Sequence, residues 1–426
     1  MSDTKTLLVD FTSQNMDLEC HNIANWWMEH TLDTALGGFH GEINVDNEVV
    51  AGANKGIILN TRILWFFSQA AKEYTNDNYR QIAERSYQYL LNYFDDEQHG
   101  GVFWELDCSG KCINGKKQTY AQAFAIYGLS AYYLLTRDPL AIEKALQYFS
   151  LIEKHAIDPI HGGYLEAFNK NWQGLKDVRL STKDMNSPKS MNTHIHILEA
   201  YTGLYRATKN PQVGIALTKL IALIFERILD PKTHHLFLFL DNDWSDLSDS
   251  FSYGHDIECS WLLWDALNAL DVPSLSEKYR PSIITMAQVC LEQSIGDLGQ
   301  VCDHFTFADK SKKQDSFWWV QAEALVGFLN AYHLTGECEY LLTCEKIWQF
   351  TQEQHLDQKN GEWHWAAKRE QNPNCIEYKE GFWKGPYHNG RAMMETAELL
   401  RQNALQQPQT PQISANQNGV NYAVAN

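Results

Sequence analysis

The chain has 426 residues, 44% of them hydrophobic, with a formal net charge of −18 and a pI near 5.3. That length builds two average domains or one large one, and the acidic balance excludes nucleic acid or an anionic membrane as the main partner. No apolar run approaches the roughly 18 residues of a membrane span. The opening MSDTKTLLVDFTSQNM lacks the basic and apolar segments of a signal peptide. The 9 scattered cysteines therefore read as reduced thiols of a cytoplasmic protein. Cys108 and Cys112 are the closest pair, but no second pair completes a zinc site.

From the N-terminus onward two signals alternate. One is a Gly/aromatic loop: Gly37-Gly38-Phe39, Gly100-Gly101-Val102-Phe103, Gly162-Gly163-Tyr164, His235-Leu236-Phe237, Gly299-Gln300-Val301 and Gly361-Glu362-Trp363. The other is a turn near Thr75, Thr136, Thr208, Val272 and Thr335. Both recur about every 62 residues, with about ten extra residues in the fourth unit, which marks one structural unit per repeat.

Each unit carries two stretches of helical apolar periodicity. Those after the loops are Ile57–Ala71, Thr119–Leu135, Met191–Ala207, His255–Leu270, Trp318–Leu334 and Pro386–Leu400. Those after the turns are Asn78–Phe94, Leu140–His155, Gln212–Leu229, Leu275–Glu292 and Glu339–Gln354, and Asp17–Thr31 supplies a twelfth. Stacked helix pairs bury their faces only if end units are capped or the array closes. The simplest closure is an all-α (α/α)6 barrel over residues 1–402, with loops or short hairpins on its rim; an open solenoid is the alternative. Residues 403–426 are rich in Gln, Asn, Pro and Ala without periodicity, which predicts a disordered tail.

The stretches after the loops hold polar residues among their apolar ones, including Asn60, Gln122 and Glu199. Buried polar groups are paired or functional, so these stretches are assigned to the inner ring. Their first turns then converge on one mouth and bring together Arg62, Tyr120, Asn192, His196, His255, Glu258, Trp319, Glu323, Trp383 and His388. Each alone has a structural reading: a hydrogen-bonded core histidine, a buried Arg62 pair with Glu258 or Glu323, or simple packing of Trp319 and Trp383. Their recurrence at equivalent repeat positions points instead to an active site.

No HExxH, GxSxG or P-loop pattern is present. His194 and His196 point apart on a helix, so no metal site is expected. His255 and His388, each at a helix start, suit proton transfer near neutral pH. Glu258 shares a helix face with His255 and can touch it, and Arg62 can hold a developing oxyanion. This describes proton abstraction beside a carbonyl. Glu258 and Glu323 leave open a carboxylate glycosidase.

Gly254–Glu258, Met191–Ala200, Trp318–Ala324 and Trp383–Asn389, with Lys55–Trp65 and Gln118–Phe124, resemble the cellobiose 2-epimerase branch of the N-acylglucosamine 2-epimerase family. The resemblance implies an (α/α)6 barrel and cofactor-free epimerisation at C2 of a reducing-end sugar. It implies His255 and His388 as the acid/base pair, Arg62 as the enediolate holder and Glu258 as the group orienting His255. Tyr120, Asp184, Asn192, His196, Trp319, Glu323, Trp383 and Asn389 are the implied sugar contacts. The substrate is then a cellobiose- or mannobiose-type disaccharide or free mannose and glucose. Ketose-forming mannose isomerases and a catalytically silent carbohydrate-binding member are the competing readings. Phe39, Phe103, Tyr164 and Trp363 are candidates to bound a second sugar, and a closed barrel suits a monomer or a homodimer.

Overall fold

The structure, a computed structural model, describes residues 10–368 and 377–406. Among these residues twelve α-helices form two rings. The inner six are α2 (Ile57–Tyr74), α4 (Thr119–Thr136), α6 (Met191–Thr208), α8 (Tyr253–Leu270), α10 (Trp318–Thr335) and α12 (Tyr387–Gln406). The outer six are α1 (Ser13–His30), α3 (Asp77–Tyr89), α5 (Pro139–His155), α7 (Pro211–Leu223), α9 (Pro273–Ser294) and α11 (Cys338–Gln354). Inner helices touch in the order α2, α4, α6, α8, α10, α12 and back to α2. Each outer helix packs on one of them: α1 on α12, α3 on α2, α5 on α4, α7 on α6, α9 on α8 and α11 on α10. The ring closes, so the chain is an (α/α)6 barrel and not an open solenoid.

Sequence explains which helices go inside. Nearly every residue of α10 from Trp318 to Ala331 is buried, as expected of a helix apolar on all sides. In α3 only one face is buried, through Tyr79, Ile82, Ala83, Ser86 and Tyr87. The recurring turn has a defined geometry. The inner helices α2, α4, α6, α8 and α10 end at left-handed residues Thr75, Arg137, Lys209, Asp271 and Gly336, which stop a helix by αL capping. Asn76, Asp138 and Asn210 follow at once and cap the next outer helix with their side chains. A stop joined directly to a start reverses the chain with almost no loop.

The opposite mouth is a ring of short antiparallel ribbons. Each strand entering an inner helix pairs with the next unit's hairpin: Lys55–Gly56 with Glu105–Leu106, Lys117–Gln118 with Ala167–Phe168, Lys189–Ser190 with Phe239–Leu240, and Ser250–Ser252 with His304–Thr306. Tyr378–Glu380 pairs back onto Ile43–Asn44 and joins the last unit to the first. Buried ion pairs pin these ribbons to the Gly loops: Lys55 to Asp33 at 2.7 Å, Lys117 to Asp96 at 2.8 Å, Lys189 to Asp158 at 2.7 Å and Lys379 to Asp357 at 2.9 Å. In the fourth unit Phe251 stacks on His235 at 3.6 Å instead.

The fourth residue of an inner helix also latches the loop. Gln122 accepts from Val102 N at 2.7 Å and donates to Val102 O at 3.0 Å. Gln321 does the same with Val301, at 2.9 and 2.7 Å. His194 Nε2 accepts from Tyr164 N at 3.0 Å, and Asp256 Oδ1 from Leu236 N at 2.9 Å. Asn60, at the same position, donates to Ser86 O at 3.2 Å. Asn60 and Gln122 are therefore structural members of the inner ring.

Two expectations shift. The extra residues of the repeat fall in the segment between Trp172 and Lys189, ahead of α6, where they reach the mouth. Helix α12 runs to Gln406, past the expected boundary at 402, and the rest of the predicted tail lies outside the described residues. No helix among the described residues is long and apolar enough to cross a membrane.

Candidate active site

The repeat places one side chain from each inner helix at the same depth. The sixth residues of α2, α4, α6, α8 and α10 are Arg62, Phe124, His196, Glu258 and Glu323, and Arg391, the fifth of α12, joins them. Above this layer, toward the ribbons, stand Tyr120, Asn192, His255, Trp319 and His388. The two histidines come together as expected. Both rings lie against the Trp319 indole, His255 at 4.7 Å and His388 at 5.7 Å between centroids.

His255 is half-buried, and its Nδ1 meets Ser252 Oγ, the N-cap of α8, at 2.9 Å. His388 is 6% exposed, and its Nδ1 meets Glu323 Oε1 at 2.6 Å. In each ring Nδ1 is engaged, which leaves Nε2 for a reacting group. Burial, aided by His196 and opposed by Glu323, lowers His255 to about 3. Burial, followed by the guanidiniums of Arg62 and Arg391, holds His388 well below the usual imidazole value. Both rings rest neutral, the form that accepts a proton.

Arg62 donates to Tyr120 Oη at 3.0 Å and to the Trp383 carbonyl, and its guanidinium lies 4.9 Å from Phe124 and 5.0 Å from Tyr387. Arg62 Nε is buried without a partner, and the cation bonds neither Glu258 nor Glu323. Those carboxylates belong to Arg391, which donates to Glu323 Oε1 at 2.7 Å and Glu258 Oε1 at 3.1 Å, and also to Glu199. Glu258 Oε2 has no partner. Burial, then Glu323 beside it, push the Glu258 carboxyl well above its usual value.

The expectation that Glu258 orients His255 is corrected by these contacts. A buried guanidinium claims the carboxylate, and the nearer N-cap hydroxyl claims the imidazole. Asn389, expected at the sugar, is 0% exposed and donates to Glu362 Oε1 at 2.8 Å, so it belongs to the framework behind the site. Glu323 likewise stands behind His388. Phe39, Tyr164 and Trp363 are buried loop anchors, not free sugar platforms, and Phe103 lies under the Lys117 and Lys170 ammoniums.

His196 packs on Tyr120 at 4.8 Å and its Nδ1 meets Glu199 Oε2 at 3.1 Å. Trp383 packs edge-on to Tyr120 at 6.3 Å. A cavity of about 270 Å³ opens beside His255, lined by Asp184, Met185, Asn192, Phe239 and Ser252. Asp184 reaches it from the inserted segment, anchored by Ser181 N at 2.7 Å, and Asn192 Oδ1 has no partner. Chemistry absent from the expectation is Arg391 with Ser252 and Tyr387. The signal for Arg391 was its place one turn after His388, in register with Arg62 and Glu323.

Glu258, Glu323 and His388 offer donor atoms within 4.8 Å of one another, the spacing of a metal site. Arg391 already donates to both carboxylates, so this cluster has its cation. A larger groove of about 700 Å³ between α5 and α7, on the outside, contains none of these residues.

Residues 37–392 match the profile of the N-acylglucosamine 2-epimerase (GlcNAc 2-epimerase) family. The chain is 41% identical over 373 residues to a cellobiose 2-epimerase of Bacteroides fragilis, covering 88% of this chain and 95% of that one. The solved structure of cellobiose 2-epimerase from Bacillus thermoamylovorans superposes with a TM-score of 0.86 at 34% identity, covering 91% of this chain and 98% of that one. A D-mannose isomerase of Marinomonas mediterranea is 23% identical over 381 residues, covering 85% and 92%.

Proposed function

The chain belongs to the N-acylglucosamine 2-epimerase family, and we propose that it is a sugar 2-epimerase exchanging gluco and manno configurations at C2 of a reducing-end sugar. The observation that carries this reading is the pair of neutral imidazoles, His255 and His388, packed against one indole. Ring opening frees the aldehyde, which acidifies the C2 proton. One Nε2 takes that proton while the C–H electron pair forms the C1=C2 bond and the carbonyl π pair moves onto its oxygen. Arg62 offers the enediolate oxygen a fixed positive charge in a buried site. The negative charge of the enediolate favours protonation of the second imidazole from solvent. That ring returns a proton to the opposite face of C2, the first ring releases its proton to solvent, and the sugar closes. Tyr120, Asn192, His196, Trp319, Trp383 and Asp184 hold the sugar and assist ring opening.

The reaction uses no cofactor in this reading, and the enzyme works in the cytoplasm as a monomer or homodimer, with residues 1–402 as one catalytic domain. The substrates are cellobiose- or mannobiose-type disaccharides, with free mannose and glucose as the alternative. The Marinomonas relative supports a ketose-forming isomerase as the second reading. Separate incubation with cellobiose, mannobiose, mannose, glucose and N-acetylglucosamine, with products resolved by NMR, decides among them. A C2 epimer as the main product is expected; a ketose would favour the isomerase, and no product from any sugar would overturn both.

A further inference from the structure

Arg391 is 1% exposed. A buried cation persists only with close anionic partners, and Arg391 meets three carboxyl groups, from three helices. Its Nη2 donates to Glu323 of α10 at 2.7 Å and to Glu258 of α8 at 3.1 Å. Its Nη1 donates to Glu199 of α6 and to the Tyr387 hydroxyl. Two of these carboxylates also meet an imidazole nitrogen. Glu323 Oε1, the oxygen bonded to Arg391, is 2.6 Å from His388 Nδ1. Glu199 Oε2 is 3.1 Å from His196 Nδ1.

We infer that Arg391 is a positioning residue whose single guanidinium, by holding Glu323 and Glu199 as ionised acceptors, locks His388 and His196 together as Nδ1–H tautomers with both Nε2 lone pairs turned to the sugar. An ionised carboxylate only accepts, so the nitrogen facing it must carry the hydrogen. Without the cation, a carboxylate buried beside a second carboxylate gains proton affinity. Once protonated it donates to Nδ1, the hydrogen moves to Nε2, and the ring cannot accept a proton there. The fork of Arg391 reaches acceptors on several helices at once, which a lysine does not reproduce. Burial tends to raise the Glu199 carboxyl, yet Arg391 and His196 bring it below its usual value. The charged or titratable groups facing this unit are Arg62 from α2, Tyr120 and Tyr127 from α4, His255 and Glu258 from α8, and Tyr387 and Glu395 from α12 itself. The role of His388 as a base rests on the proposed reaction; the tautomer lock does not.

The test is ¹⁵N NMR of the histidine-labelled full chain, with His388 and His196 assigned by loss of signal in His388→Asn and His196→Asn. Both rings are expected as Nδ1–H at pH 7. Arg391→Lys should release at least one of them to the Nε2–H form and lower kcat about 10²-fold with KM within about twofold, the pattern of a misdirected imidazole. Arg391→Met, if it folds, should release both. An Nε2–H ring in the unaltered protein overturns the inference, and so do unchanged tautomers at both rings in Arg391→Lys. The readout needs no substrate, so a protein that epimerised nothing would sink the proposed function and leave this result standing.

Discussion

Glu258 bonds Arg391 and not the imidazole that stands three residues before it. Helical spacing puts the two on one side of α8, but spacing does not choose between acceptors. His255 takes the N-cap hydroxyl of Ser252 at 2.9 Å, and Glu258 takes the Arg391 guanidinium at 3.1 Å. Ser252→Ala should therefore act twice. Loss of the cap should cost about 1 kcal/mol, read as a lower Tm, and loss of the Nδ1 partner should lower kcat more than it changes KM. Unchanged kcat would show that Ser252 does not orient the ring. For Glu323→Gln, kcat should fall about 10²-fold with the barrel intact, because the amide no longer fixes His388 as a carboxylate does. His255, His388 and Arg62 were legible as candidates because each sits at a repeated position near a helix start. Arg391 shares that register, but its role was not legible, because its partners Glu258 and Glu199 lie 133 and 192 residues away in the chain, and no local pattern links them.

At the scale of elements, the inner helices carry two kinds of polar residue that look alike in sequence. Gln122, His194, Asp256 and Gln321 hold loops, whereas His196 and Glu258, two positions after His194 and Asp256, face the barrel interior. The difference of about 100° per residue around a helix decides which. Only the partner each one bonds shows it, which is why Asn389 read as a site candidate although it bonds Glu362 in the framework. The repeat supplies a direct test, since glutamine serves in α4 and α10 where α6 has His194. His194→Gln should fold and keep Tyr164 N bonded. Burial holds His194 at about 4 in the folded protein, below the roughly 6.5 of an unfolded histidine. The unfolded chain therefore binds the extra proton, and stability is lost as pH falls from about 6.5 toward 4, by about 1.4 kcal/mol per pH unit from this group. Unfolding measured across that range should show His194→Gln losing less stability than the unaltered protein. An equal loss in both would contradict the assignment.

For the whole molecule, closure was predictable from six loops and twelve helical stretches, because an open stack leaves apolar end faces bare. The means of closure was not, since Tyr378–Glu380 and Ile43–Asn44 are too short to signal a strand and pair across nearly the whole chain. The rim ion pairs were hidden for the same reason. Lys117 and Asp96, both almost fully buried at 2.8 Å, should behave as a pair. Lys117→Met alone should cost about 3–5 kcal/mol by stranding the aspartate, and Lys117→Met with Asp96→Leu should recover most of it, as read by thermal denaturation. Equal losses in the single and double variants would contradict that pairing. The fold and its rim serve one purpose in this account, which is to hold two neutral imidazoles on opposite faces of a sugar C2. Incubation of the accepted sugar in D2O, followed by NMR at C2, tests this most directly. Deuterium is expected at C2 of both epimers, reduced about 10²-fold or more in His255→Ala and in His388→Ala. Epimerisation without deuterium at C2, or exchange undiminished in either variant, would contradict it.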